Sequence, residues 1–304
     1  MKTLATFVMR GFSQSVMATS VLAMLSLIFP LIGLLSTASV GLVVLRQGPK
    51  AGAMTVAAST LACGLLMTMI FGNPLPALGF VLMQWLPMGM LAQLLRSSRS
   101  LVVTTQAGLG FGLLAIVVQY VSLGDPSVFW AEQLKPMAQR FVEAGLFDQA
   151  QSGETVTQLA LMMCGVVAAG ILLQLLFSLY LARWWQALLY NPGGFGAEFH
   201  QLRLYKLVAL PGVAIVLLWL IPGVVLPQAV NCVGALFLSL FLLQGLAVAH
   251  GVFGGMKSPQ RWLVVTYLLL FVFMPQMVMA LATIGLLDVW IDFRARFRRM
   301  QAGG

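Results

Sequence analysis

Seven side-chain amides stand within or at the ends of long apolar runs: Gln84, Gln106, Gln119, Gln174, Gln244, Gln276 and Asn231. An amide in hydrocarbon needs a hydrogen-bond partner, so these side chains must face the interior of a helical assembly. Two chemistries fit. They can be interhelical glue. Or Gln84, Trp85, Gln174 and Gln244 can line a cavity that takes a small neutral ligand through a few polar groups on an apolar wall.

A second group of chemistry-bearing residues lies in the string 191–204. Pro192, Gly193 and Gly194 make a sharp turn in which glycine supplies positive φ. Phe195, Phe199 and Leu202 then share one helical face and leave Glu198, Gln201 and Arg203 free. One reading is an interfacial helix that leads the chain back into the next span. The other is a docking loop for a membrane or cytoplasmic protein partner, built from Asn191, Pro192, Gly193, Gly194, Phe195, Glu198, Phe199 and Arg203.

Other chemistry is missing. Charged residues inside spans mark proton and ion paths, and none lies well inside a span here. Asp288 and Asp292 end the last apolar run, where they read as interfacial anchors beside arginines, so a carboxylate-driven transporter is poorly supported. The sequence has no Walker loop and no HExxH, and its only histidines are His200 and His250. No Gly-x-Ser-Gly precedes a helix with a partner histidine. These absences give an expectation of no enzyme, no catalytic residues, no metal and no cofactor. Cys63, Cys164 and Cys232 are isolated and read as core residues. The 18 methionines read as flexible packing.

The elements that position these groups follow from composition. Of 304 residues, 60% are apolar and 8% charged, against about 25% charged in soluble domains. Mean hydropathy is +0.97. Such a chain must be a multi-span integral membrane protein, which excludes a soluble enzyme, a nucleic-acid-binding domain and a disordered chain. Its net charge of +9 sits in short loops, the topogenic pattern of cytoplasmic loops.

Spans of about 20 residues divide the chain into an all-α bundle of eight or nine helices. The first apolar run splits at Pro30 into helices at about 12–29 and 31–45. The second carries Gly33, Thr37 and Gly41 on one face for close approach. Further spans fall at about 52–71, 77–95, 101–122, 156–190, 207–225 and 230–252, with a last run at 262–291 interrupted by Pro275. Lys2 and Arg10 before the first span, with no cleavage site, read as an uncleaved first helix.

Residues 124–153 form the one long polar connection, in which Asp125, Glu132, Glu143 and Asp148, with Glu154 just beyond, oppose only Lys135 and Arg140. Trp130, Leu134, Met137 and Phe141 give it an amphipathic stripe interrupted at Pro136, read as short helices on the membrane surface or a solvated cap. The positive-inside rule places the N-terminus inside, with Arg46, Lys50, Arg96, Arg99, Arg183, Arg203, Lys206, Lys257 and Arg261 in inside loops. The last run either crosses once, which puts four tail arginines outside, or breaks at Pro275 into a shallow hairpin that returns the basic tail inside; the hairpin is the expectation.

Three features together resemble the YybS-like family of bacterial membrane proteins, whose function is not established. They are Phe29-Pro30-Leu31 followed by Leu45-Arg46-Gln47-Gly48 and Gly52, the 191–204 string, and Gly285-Leu286-Leu287-Asp288 with Asp292-Phe293-Arg294. That family is distantly similar to the substrate-binding components of energy-coupling-factor transporters and to MreD. The resemblance implies a six-helix substrate-binding-like module at 1–190, which includes the surface segment 124–153. Helices with a basic cytoplasmic-type tail follow at 191–304. It implies a bacterial inner membrane location with a cytoplasmic N-terminus. The chain departs from those components in two places. Ser15, Ala18, Thr19 and Ala23 stand where an Ala-x-x-x-Ala docking face is usual, and the C-terminal helices are extra. The expected function is transporter-like capture of a small molecule without an energy source in this chain. The alternative is a non-transporting scaffold or assembly protein that recruits partners through its inside loops.

Overall fold

A computed structural model describes residues 1–146, 148–256 and 258–302. Lys257, one of the expected inside cations, lies outside the described residues. The structure is helical: α1 (Lys2–Val8), α2 (Phe12–Ser26), α3 (Gly33–Gln47), α4 (Pro49–Phe71), α5 (Pro76–Phe80), α6 (Leu86–Ser98), α7 (Leu101–Leu123), α8 (Pro126–Glu143) and α9 (Gln149–Tyr190). Then come α10 (Gly194–His200), α11 (Lys206–Trp219), α12 (Gln228–Phe253), α13 (Pro259–Val272), α14 (Met274–Ile291) and α15 (Phe293–Ala302). A 3-10 turn, Pro30–Ile32, leads into α3, and a π-helical turn, Val81–Trp85, joins α5 to α6. Seven helical segments are long and apolar enough to cross a membrane, and α2, α11 and α13 are shorter apolar helices.

The chain forms two compact units. One comprises Met1–Gly108 and Leu173–Leu202, the other Leu109–Leu172 and Arg203–Gly304. This division follows packing and not chain order, so it differs from the expected boundary at 190/191. A Cβ on Gly112 would overlap Leu236, and one on Gly165 would press on the Cys232 backbone. These close approaches tie the middle of the chain to α12.

In the first unit α3 is the core. Every residue from Ser36 to Leu45 is buried, as an all-round apolar helix requires. Its small residues permit this, since a Cβ on Gly41 would meet Ala182 and Met88 at 2.9 Å. The Gly33/Thr37/Gly41 face is thus a close-packing face. Hydrogen bonds fix the register. Ser36 Oγ donates to the Thr19 carbonyl (2.8 Å), and Ser15 and Thr55 hydroxyls pair at 3.2 Å. Arg96 Nη1 donates to the carbonyls of Val44 (3.2 Å) and Leu45 (3.3 Å), which closes the end of α3. Trp185 of α9 is fully buried in this unit.

In the second unit α12 is the buried axis, with α11 and α14 along it. Gln119 Nε2 donates to the Cys164 carbonyl (3.2 Å), while its Oε1 accepts from Trp130 Nε1 (3.2 Å). Along the apolar stripe of α8, Leu134, Met137 and Phe141 border a small space shared with Ser152, Val156 and Leu159 at the start of α9. The helix also continues through Pro136, because a proline forfeits one backbone bond and this one lies in a largely exposed helix. At 42 residues, α9 is about 63 Å long, more than twice the hydrocarbon thickness. It therefore begins inside the expected polar connection. The last run breaks at Phe273 (φ −117°, ψ 48°), two residues before Pro275.

Asp125 caps α8, accepting from the Ser127 amide (2.9 Å) and hydroxyl (2.7 Å). The Ser127 hydroxyl, then its amide, holds the carboxyl below its ordinary value. The folded-state pKa is the lower one. The cap is therefore fully effective above the unfolded-state value and is lost as pH falls through the folded one. Amide exchange at Ser127 is expected to be protected at neutral pH and to lose that protection below about pH 4. Asp125→Ala should remove the protection at every pH; an unchanged exchange profile in the variant would refute the cap.

Candidate functional site

The first unit carries a trough between α4 and α6 whose floor is Val40 and Val44 of α3. Both walls come from helical spacing. Pro49, Gly52, Ala53, Val56, Ala57, Thr60 and Leu61 form one face of α4. Trp85, Gly89, Gln93 and Ser97 form the facing stripe. Ala53, Ala57 and Gly89 are small, and that makes the space, while Gly52 lets α4 close on Val44. The cavity holds about 970 Å³, the size of a small-molecule site. At Thr60 and Leu61 it runs on into a cavity of about 350 Å³ beside Pro74 and Ala77.

The π turn sets the upper wall, since it places Val81 and Trp85 on the trough. Such turns are frequent at functional sites. Trp85 is fully buried, stacks on Phe80 at 5.8 Å and donates from Nε1 to Ser36 Oγ (3.2 Å). The hydroxyls of Thr60 and Ser97 are spent on the Val56 and Leu94 carbonyls. Gln93 differs: its Oε1 is buried and has no hydrogen-bond partner among the described residues. The arrangement can hold an apolar body, and a turn of the Gln93 side chain would offer that body one acceptor.

Of the four residues expected to bind a ligand, Trp85 lines this trough. Gln84 does not; its Oε1 accepts from Thr37 Oγ1 (2.8 Å), a bond that ties α3 to the π turn. Gln174 is half-buried in α9 and does not line the trough. Gln244 belongs to the second unit and is fully buried. Gln93 was missed, although it shares a helical stripe with Gly89 and Ser97. An amide one turn from a span-ending arginine carries no distinctive sequence signal.

The 191–204 string folds back on its own unit. Phe195 and Phe199 stack at 5.7 Å, and both rings pack on Tyr180, which pairs with Thr105 at 2.8 Å. Glu198 is not free. It takes a two-pronged ion pair from Arg183, with Arg183 Nε at 3.0 Å from Oε2. Arg203 is not free either; it binds Asp292 (2.9 Å) and the Val289 carbonyl (3.0 Å) in the second unit. Short-range spacing left these charges unassigned because their partners lie 15 and 89 residues away. Of the expected docking residues, Asn191, Pro192 and Gly193 are exposed.

Asp288, read from the sequence as an interfacial anchor beside arginines, is a fully buried carboxylate at the centre of a polar junction that includes Arg294. Oδ1 accepts from the Phe293 amide (2.9 Å). Oδ2 accepts from Gln244 Nε2 (3.0 Å) and from Arg294 Nη2 (2.6 Å). Gln244 Oε1 in turn accepts from the Leu204 amide (2.9 Å). Four segments are thereby pinned, and both ends of the Gln244 amide are used. Its role here is the glue expected of amides in spans.

These elements define the class: an all-α, polytopic membrane protein with a small-molecule-sized trough in one unit. No family model matches the chain, and neither a curated protein nor a solved structure does.

Proposed function

We propose that this membrane protein is transporter-like in one respect: it captures a small molecule with a largely apolar body in the α3/α4/α6 trough. The observation that carries the reading is the trough itself, with the unspent acceptor of Gln93 buried in it. Any movement of the captured molecule requires an energy source outside this chain. The resemblance to energy-coupling-factor substrate-binding components fits such a division of labour. A location in a bacterial inner membrane with a cytoplasmic N-terminus belongs to the same proposal. It is supported by Arg10, Arg46, Lys50, Arg96 and Arg99, which share one end of the first unit. The scaffold reading has less behind it, because Phe195, Phe199, Glu198 and Arg203 are engaged within the protein.

Gly89 offers a direct test. It lines the trough, and a Cβ built there meets no atom within 4 Å. Gly89→Phe should therefore fill the trough without displacing backbone. Native mass spectra of the purified wild type are expected to show a stoichiometric adduct that Gly89→Phe removes. A bare wild type, or an adduct that survives the substitution, would reject capture at this trough.

A further inference from the structure

Resting on that capture reading, we infer that the occupant of the trough is an anionic phospholipid, with an acyl chain between α4 and α6 and its phosphate at Lys50 and Arg99. The first argument is charge. The first unit contains seven basic residues and a single carboxylate, Glu198, which is held by Arg183. Two other cations are also committed. Arg96 closes the α3 carbonyls, and Arg46 lies 4.2 Å over the Tyr190 ring. Lys50 and Arg99 are exposed and form no ion pair among the described residues. They stand one residue from Pro49 and two from Ser97, the lining residues at the same end of the trough. An apolar slot flanked along the chain by two uncommitted cations matches an anionic amphiphile. A neutral solute would leave the charges unused, and a free anion would leave the slot empty.

The second argument is depth. From Pro49 to Leu61 the α4 wall spans twelve residues, about 18 Å at helical rise. That is slightly more than half of the about 30 Å hydrocarbon core, the depth of one leaflet measured from the basic end. The rim is lipid-like as well, since Leu61 and Met90 are 71% and 64% exposed. The third argument is the placement of Gln93, the one trough-lining residue among the described residues with a buried side-chain atom that lacks a hydrogen-bond partner. Gln93 lies one turn below Ser97, near the basic end, where a lipid carries its glycerol backbone. Oε1 is shut off from the surface, and a turn of the side chain would bring it out to accept a hydrogen bond from a glycerol or headgroup hydroxyl.

The test titrates phosphatidylglycerol and phosphatidylcholine of identical chains onto wild type, Lys50→Gln/Arg99→Gln and Gly89→Phe, and reads bound lipid by native mass spectrometry. Each basic side chain near an anionic membrane surface is worth about fivefold in affinity. The double substitution is thus expected to weaken phosphatidylglycerol about twentyfold, to the phosphatidylcholine level, and to leave phosphatidylcholine unchanged. Gly89→Phe is expected to remove both. A phosphatidylglycerol preference that survives Lys50→Gln/Arg99→Gln while Gly89→Phe still clears the adduct overturns the headgroup assignment and leaves capture standing. Retention of both lipids by Gly89→Phe overturns capture, and this inference with it.

Discussion

Asp288→Ala is expected to destabilise the second unit by about 3–5 kcal/mol, the cost of breaking a buried ion pair by removing one partner. Against a total of about 5–15 kcal/mol for a domain, that is enough to leave much of the protein unfolded. The size follows from what the substitution abandons. Arg294 is 6% exposed and would keep its charge with no carboxylate beside it. Gln244 Nε2 and the Phe293 amide would each lose an acceptor in a site closed to water. Asp288→Asn keeps the shape but sets a second amide donor against donors from Gln244 and Arg294, so it should be nearly as harmful. Removing both charges should be milder. Asp288→Leu with Arg294→Met takes the stranded charge away, and apolar replacement of a buried pair is often close to neutral. Unfolding in mixed micelles would measure the four-member cycle. A double variant that is less damaged than Asp288→Ala alone is the expected result; strict additivity would mean that the two side chains do not act as a pair.

How much of this could be read from the sequence depends on the range of the interaction. Pro30 breaks the first apolar run where expected, and Gly72 with Asn73 makes the following turn, with Leu75 N donating to Asn73 Oδ1. Such signals work because proline and glycine act on their own backbone. The all-α, multi-span class was readable for a similar reason, since it follows from composition summed over the chain. The junction at Asp288 was not. Gln244 lies 44 residues from its carboxylate and 40 from the Leu204 amide, and no periodicity links such positions. The stripe on α8 shows the intermediate case. Its apolar face was evident, but amphipathicity specifies that a face is buried and not what covers it. Part of the cover is the extra length of α9, which polar residues at its start disguised as loop, while Met137 and Phe141 stay 49% and 39% exposed. At the trough, Trp85 could be found because an aromatic in a span stands out. Gln93 could not, because its significance lies in the space that Ala53, Ala57 and Gly89 leave beside it.

Gly285→Ala is expected to be the most damaging one-methyl change in the protein. At an ordinary helix position the same exchange stabilises by roughly 0.5–1 kcal/mol, since alanine loses less backbone entropy. At Gly285 the sign reverses. A Cβ there would overlap the Phe241 carbonyl and the Gly245 amide, and one at Gly245 would overlap the Leu281 carbonyl. These are backbone atoms, so no rotamer change can make room, and α12 and α14 must separate. Overpacking costs about 1–3 kcal/mol where side chains can yield, and here the obstacle cannot. Separation has a second consequence one turn further on. Asp288 follows Gly285 on α14, and its bond to Gln244 on α12 spans the same interface. Moving the helices apart by even half a methyl width stretches that 3.0 Å bond, so the cost of overpacking adds to the cost of a loosened polar junction. Gly89→Ala is the control, because open space surrounds that position and the propensity gain should appear unopposed. Thermal unfolding of the two variants side by side is expected to move in opposite directions. A Gly285→Ala protein as stable as wild type would mean that the α12–α14 backbone contact is looser than the close approach of small residues requires.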